Sequence, residues 1–138
     1  MKVKRLQHVS TPYPAGEGES LRGFYGGVLG LEELPLPLAL EGRGLVWFAA
    51  GDDDLELHFL PEPQDTASGR HFCLEVDAVE LWRTRLAESG YTLSDDSSIP
   101  GRPRFFCRDP FGNLLEFTTI RGDYRQEQVE VGQKLEVG

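Results

Sequence analysis

The three histidines of this chain and two of its glutamates occupy positions from which they could bind a metal ion. His8, His58 and His71 each lie in a segment whose polar and apolar residues alternate, and Glu56 and Glu116 lie in segments of the same kind. Imidazole nitrogen and carboxylate oxygen suit a borderline divalent cation, and two histidines with one carboxylate also form the open site of non-haem iron enzymes. The residue types therefore favour metal chemistry, although no short ligand motif such as HExxH is present.

The alternation predicts that these polar side chains share one face of their strands. In residues 70–76 and 54–60 every second side chain is apolar, and successive side chains of a strand point to opposite faces. His71 and Cys73 would thus lie opposite a face that can pack on a helix. A free cysteine is usually small core filling, so we do not predict Cys73 to be a ligand.

The same residues also have a simpler interpretation. His8 and His58 would be ordinary half-buried strand histidines, and Glu56 and Glu116 would be solvated side chains of an acidic protein. Spacing alone does not decide between the two interpretations, because the residues are far apart in the chain.

The elements that must position these residues occur in the same order twice. Apolar residues at helical spacing predict a helix from Leu21 to Leu29 that ends at Gly30, and a second helix that opens with a capping box at Asp77 and closes at Gly90. Strands are predicted at 3–13, 31–38, 44–50 and 54–60 in the first half, and at 70–76, 91–95, 104–108 and 113–120 in the second. Each half reads strand–helix–strand–strand–strand, which predicts an α+β fold of two tandem βαβββ modules.

The predicted boundaries follow from this repeat. Module one covers 3–61 and module two 70–120, within a single domain of 1–122, and residues 123–138 form a polar tail that is frayed or lies on a partner subunit. The modules can be aligned through their polar residues: His8 and His71 are 63 residues apart, and Glu56 and Glu116 are 60 apart. His58 follows Glu56 on the same face, so both remain candidates for one position.

Composition excludes some partners without indicating an activity. The chain has 138 residues, with 14 Lys and Arg against 23 Asp and Glu, and a net charge of −9. This charge repels nucleic acids and anionic membranes. We expect a cytoplasmic protein, because no apolar stretch approaches a transmembrane helix, no signal peptide is evident and there are 2 cysteines.

Two longer motifs resemble a known family. Residues 24–32, FYGGVLGLE, and residues 108–117, RDPFGNLLEF, are similar to the glyoxalase, bleomycin-resistance and dioxygenase group, the vicinal-oxygen-chelate superfamily. The resemblance extends over residues 3–120. It implies a glyoxalase-like fold, in which paired βαβββ modules form a cup-shaped mixed sheet around one metal ion, and a homodimer.

The resemblance also implies a ligand set and a chemistry. His8 and His71 correspond to the ligands of the first strands, Glu116 to that of the last strand, and His58 or Glu56 to the fourth. One divalent ion (Zn, Ni, Mn or Fe(II)) would stabilise an enediolate formed from a small oxygenated substrate, while Glu56 or Glu116 moves the proton. The implied function is that of a metal-dependent lyase or isomerase, and a thiol cofactor remains undetermined.

Other members of the group suggest an alternative function. Some sequester an antibiotic or another small molecule without a metal, and here Trp47, Phe48 and Phe105 could stack on a planar ring. Arg104 is a candidate for binding an acidic substrate. Ring-cleaving dioxygenases of the group are usually about twice this length, so that activity is disfavoured.

Overall fold

The structure, a computed structural model, describes residues 1–137, and Gly138, at the end of the predicted tail, lies outside the described residues. The chain forms two compact units. Unit 1 contains Met1–Ser68 and the turn Asp109–Asn113, and unit 2 contains Gly69–Arg108 and the chain from Leu114 onward. Each unit has one four-stranded mixed sheet with helices. The predicted α+β fold of two βαβββ modules is confirmed.

Unit 1 is built on a sheet in which the first and last strands of the module are neighbours. The strand order is β1-β4-β3-β2; β1 runs parallel to β4, and the other pairs are antiparallel. The elements are β1 (His8–Tyr13), α1 (Gly18–Arg22), a π-helical turn (Gly23–Val28), β2 (Glu33–Leu34), a 3-10 turn (Leu38–Leu40), β3 (Val46–Ala49) and β4 (Glu56–Pro61).

The first predicted helix is present, but its second half is wound more loosely than an α-helix. The amide of Leu29 bonds the carbonyl of Phe24, five residues earlier, at 2.9 Å. Gly30 follows with φ 72°, the left-handed conformation that ends a helix. The apolar stripe is buried as expected: the Tyr25 ring lies 4.4 Å from the ring of Phe59, and both residues are fully buried.

Unit 2 repeats the arrangement with the strand order β5-β8-β7-β6, where β5 and β8 are parallel. Its elements are β5 (His71–Glu75), α2 (Val79–Glu88), β6 (Leu93–Ser94), β7 (Arg104–Arg108), β8 (Leu114–Thr118) and α3 (Tyr124–Val137). The core contains Phe105 stacked on Phe117, with ring centroids 5.0 Å apart, beneath the buried Val79 and Leu86 of α2.

The start of α2 differs from the predicted capping box. The Asp77 carboxylate accepts from the adjacent amide of Ala78, and the first helical amide, that of Val79, donates to the Thr119 hydroxyl at 2.9 Å. Thr119 in turn donates to the carbonyl of Val76. The helix therefore receives its cap from a residue that follows the last strand of the sheet.

The predicted polar tail is largely helical. Helix α3 spans Tyr124–Val137, a segment in which Gln, Glu and Lys, which favour helices, outnumber the valines whose alternation suggested an extended chain. Within residues 1–137, no helix combines the length and apolar character that a membrane crossing requires.

Candidate metal-binding residues

Strand pairing in unit 2 brings a histidine and a carboxylate together on the polar face of the sheet. In the parallel pair of β5 and β8, Cys73 lies opposite Glu116, so His71 is diagonal to that glutamate. The His71 Nε2 atom is 3.0 Å from Glu116 Oε2, and the other ring nitrogen, Nδ1, is 2.9 Å from the carbonyl oxygen of Gly69. His71 and Glu116, predicted from the sequence as ligands, are therefore neighbours.

Both ring nitrogens of His71 face oxygen atoms, although a neutral imidazole carries a single N–H. The Gly69 carbonyl can only accept, so Nδ1 donates to it, and the Nε2 lone pair then points toward the Glu116 carboxylate. Two lone pairs at this distance repel unless positive charge lies between them. A second proton, or a divalent cation bound by both atoms, would supply that charge.

Arg104 of β7 holds the other oxygen of the same carboxylate. Its Nη1 donates to Glu116 Oε1 at 3.1 Å, and its Nη2 donates to the Ser97 carbonyl at 2.9 Å. The Arg104 and Glu116 side chains are only 14% and 12% exposed, which strengthens their charge-assisted hydrogen bond. Arg104, predicted to bind substrate, thus orients Glu116 and leaves Oε2 directed at His71.

Two further side chains surround this pair. The Phe106 ring meets His71 edge-on with centroids 5.2 Å apart. Loss of hydration, together with the Glu116 carboxylate, raises the pKa of the Cys73 thiol to about 11. Cys73 is therefore a protonated thiol at neutral pH, and a weak candidate for a ligand.

In unit 1 the polar face of the sheet carries a stack of three rings. His58 lies between Trp47, at 3.8 Å and 1° between planes, and His8, at 4.0 Å and 16°. Trp47 is directly opposite His58 across β3 and β4, and His8 is diagonal to it across β1 and β4. Trp47, which was predicted to stack on a ligand, is half-buried. The His58 imidazole covers one face of its ring.

Glu56 and Gln7 fix the two imidazoles of this stack. The Glu56 Oε1 atom accepts from His58 Nε2 at 2.9 Å, and the Gln7 amide oxygen accepts from His8 Nδ1 at 2.7 Å. The hydrogen bond from His58, and then that from Gln7, lowers the pKa of Glu56, which is ionised at neutral pH. Sequence reasoning missed Gln7 because alternation put it on the face opposite His8 in the predicted strand 3–13, and it missed Gly69 because that residue precedes the predicted strand 70–76.

His58 and Glu56, the two candidates for the fourth ligand position, can be compared through the strand register of the two sheets. In unit 2, Glu116 comes two residues after Leu114, the partner of His71. In unit 1, the residue two positions after the partner of His8 is His58, since Glu56 itself is that partner. The register thus makes His58 the counterpart of Glu116, while the 60-residue offset in sequence favoured Glu56. The loop lengths of the two modules differ, so a constant offset does not follow the sheet.

Two of the predicted substrate-contacting residues lie in the cores. Phe48 is 1% exposed and Phe105 is 0% exposed, and both occupy the faces of their strands opposite the polar residues. Phe48 packs near Tyr25 and Phe59, and Phe105 on Phe117. They stabilise the sheets and do not face a ligand, because in each pair of adjacent aromatic residues only one can point to the polar side.

The donor set of unit 2 fits a divalent cation. Zinc–nitrogen and zinc–oxygen bonds are about 2.0–2.2 Å long, so the His71 and Glu116 atoms that lie 3.0 Å apart can bind one ion. The Gly69 carbonyl on Nδ1 is the kind of outer partner that metal-bound histidines usually have. Among the described residues, no group of three or more His, Cys, Asp or Glu side chains is gathered as a ready-made metal cage.

Comparison with known proteins agrees with this architecture. A sequence profile of the Glyoxalase/Bleomycin resistance protein/Dioxygenase superfamily matches residues 5–117. The structure of a glyoxalase family protein from Bacillus anthracis is 32% identical, with a TM-score of 0.77, over 87% of this chain and 98% of that one. No curated protein matches significantly.

Two more distant structures share the fold. A lactoylglutathione lyase from Agrobacterium tumefaciens is 24% identical (TM-score 0.65; 86% and 96% of the two chains covered). An antibiotic binding protein from Streptomyces sp. CB03234 is 21% identical (TM-score 0.67; 87% and 98% covered). The repeated module, the two signature segments and the matching profile lead to one assignment: the chain belongs to the Glyoxalase/Bleomycin resistance protein/Dioxygenase superfamily.

Proposed function

We propose that the protein is a metal-dependent lyase or isomerase that acts on a small oxygenated substrate. The observation that carries the proposal is the contact between His71 Nε2 and Glu116 Oε2, at 3.0 Å, with His71 Nδ1 already bonded to a carbonyl. The arrangement calls for positive charge between the two atoms. His71 and Glu116 are the proposed ligands in unit 2, and His8 and His58 are the corresponding candidates in unit 1.

A divalent ion held there would polarise adjacent oxygens of the substrate and stabilise negative charge on them. The side chains of the protein perform the rest of the chemistry. Arg104 holds Glu116 Oε1 and so fixes the direction of Oε2. Glu56 is ionised at neutral pH and is the candidate to accept a proton from carbon, with His58 as the donor that stabilises its charge.

Metal binding is tested by titrating Zn²⁺, Ni²⁺, Mn²⁺ and, without oxygen, Fe²⁺ into chelator-treated protein in a calorimeter. We expect close to one equivalent to bind, and His71→Ala and Glu116→Gln to weaken binding at least tenfold. Glu75→Gln is the matched control, because Glu75 lies exposed on the same face of β5. Less than about a tenth of an equivalent with every metal would refute the metal centre.

Proton abstraction is tested separately, by deuterium exchange. Small α-hydroxyketones and α-oxoaldehydes are incubated in D₂O with loaded protein, with and without glutathione, and followed by proton NMR. Enzyme-dependent loss of the signal beside the carbonyl is expected, and Glu56→Gln should slow it at least a hundredfold. Exchange that requires glutathione would identify a thiol adduct as the substrate.

A second candidate function is the sequestration of a planar small molecule. A groove of about 510 Å³ beside β2 is lined by Trp47 together with Pro35, Leu36 and Leu45, a composition common in small-molecule sites. The net charge of −9 would favour a cationic ligand. Quenching of Trp47 fluorescence in a Trp82→Phe background by a planar cation, unchanged by chelator, would support this function. Quenching that requires metal would argue for the first.

A further inference from the structure

A second cavity lies in unit 2, at the start of β7, and it shares only Arg104 with the proposed metal site. Its volume is about 540 Å³, and its walls are formed by the first half of α2, the loop between β6 and β7, the start of β7 and Arg121, which lies between β8 and α3. Four arginines line it: Arg83, Arg102, Arg104 and Arg121. This concentration of guanidinium groups is unexpected in a chain whose net charge is −9.

Two of the four arginines are neutralised by carboxylates. Arg83 binds Asp95 at 2.9 Å and lies 3.8 Å from Glu80. Arg104 binds Glu116 at 3.1 Å and lies 4.0 Å from Asp96. The three acidic residues of the cavity wall are thereby assigned to these two arginines.

The other two have no carboxylate partner among the described residues. Arg102 is half-buried, with its guanidinium over the Tyr124 ring at 4.7 Å, and its Nε is buried without a hydrogen-bond acceptor. Arg121 is exposed, and its described polar contact is made by its backbone amide, which donates to Gly101. A partly desolvated charge without a counterion is costly. The carboxylates at the cavity lie within ion-pair distance of Arg83 and Arg104, which leaves Arg102 and Arg121 as the two guanidinium groups without such a partner.

We propose that this cavity binds the phosphoryl group of a small molecule, with Arg102 and Arg121 as its charge partners. Guanidinium groups match the oxygens of phosphate in geometry and charge. Ser97 and Ser98 line the same cavity and add hydroxyl donors, which a dianion with three free oxygens can use more fully than a carboxylate can. A volume of about 540 Å³ leaves room for the rest of a small ligand.

The test uses inorganic phosphate as the probe and the full chain as the sample. Amide ¹H–¹⁵N spectra are recorded during a phosphate titration with chloride replaced so that ionic strength stays constant. Saturable shifts are expected in residues 95–104 and at Arg121. Arg121→Gln should weaken binding at least fivefold, and Arg43→Gln, which removes an exposed arginine outside the cavity, should leave it unchanged.

Arg102→Gln is expected to have the same effect as Arg121→Gln. If loss of its contact with Tyr124 prevents folding, Arg121→Gln alone decides, because the exposed Arg121 side chain makes no described contact that folding requires. Shifts that do not saturate, or equal affinity in Arg121→Gln and the wild type, would overturn the proposal. Acetate binding as tightly as phosphate would overturn the phosphoryl assignment.

Discussion

The Tyr25 hydroxyl donates a hydrogen bond to Asp109 Oδ2 at 2.7 Å, and both residues are buried. Asp109 also accepts from the amides of Phe111 and Asn113 and from the Asn113 side chain. The two sequence signatures, FY at the helix and DPFGN at the turn, are therefore parts of one hydrogen-bond network in unit 1. Their shared presence in the chain has a structural reason that is independent of any metal.

Tyr25→Phe should destabilise the protein by about 1–3 kcal/mol, since a buried carboxylate loses one of its donors while the ring packing is kept. Urea unfolding measures the change. Tyr124→Phe is the matched control, because that ring stacks on Arg102 and no described hydrogen bond uses its hydroxyl. Equal stability of Tyr25→Phe and wild type would show that water or Asn113 replaces the lost donor.

Thr119→Val should cost about 1 kcal/mol by removing the side chain that caps the first amide of α2. Valine keeps the shape of threonine, so the loss reports the two hydrogen bonds and not the packing. Thermal unfolding followed by circular dichroism provides the measurement. Thr84→Val is a suitable comparison, because Thr84 bonds only a carbonyl within α2; a larger loss there would contradict the assigned cap.

Glu56 should make the stability of the protein depend on pH in the acid range. Its pKa in the folded state is lowered from 4.5, chiefly by the hydrogen bond from His58. The ionised carboxylate therefore stabilises the fold above pH 4.5, and this contribution disappears as the pH falls through the folded-state pKa. The free energy of unfolding of wild type should exceed that of Glu56→Gln at pH 7 and converge with it in acid; a constant difference would be the contrary result.

The Cys73 thiol should react slowly with iodoacetamide at pH 8. A pKa of about 11 in place of 9.0 leaves roughly a hundredfold less thiolate, the reactive form. Mass spectrometry of Cys107→Ser protein, which retains Cys73 alone, measures the rate in native buffer and in urea. Similar rates in both would mean that neither lost hydration nor Glu116 suppresses the thiolate.

Arg104→Gln should weaken metal binding about 10- to 100-fold, because outer partners that orient a ligand contribute on this scale. Arg104→Lys should recover part of the loss by keeping the positive charge beside Glu116. Calorimetric titration of both variants, at matched ionic strength, distinguishes this positioning role from a structural one. Unchanged affinity in Arg104→Gln would exclude the role.

The sequence predicted which faces of the strands are polar, and it did so for a simple reason. Alternation is a local property, so the exposed His71 and Cys73 could be separated from the apolar Phe72 and Leu74 by inspection. The helix end at Gly30 could be predicted for the same reason, because a glycine that follows an apolar helical stripe is also a local signal. Features that depend on strand register could not be predicted: Arg104 meets Glu116 diagonally across β7 and β8, and nothing near either residue indicates that pairing.

One wrong prediction and one unresolved alternative have the same origin. The spacing of Asp77 predicted a capping box at the start of α2, but the first helical amide, that of Val79, donates to the Thr119 hydroxyl, 40 residues away. For the position equivalent to Glu116, the sequence left His58 and Glu56 open, and the strand register aligns His58 with it. In both cases a contact between distant residues replaced a local pattern.

The parallel pairing of the first and last strands in each sheet also has a consequence for how the protein acquires its structure. β1 joins β4, and β5 joins β8, so the parallel pair of either sheet forms only after a whole module has been synthesised. Such long-range contacts raise contact order and slow folding. During translation, His8 must wait for His58, and His71 for Glu116, which means that neither histidine meets its neighbouring side chain before its module is complete on the ribosome.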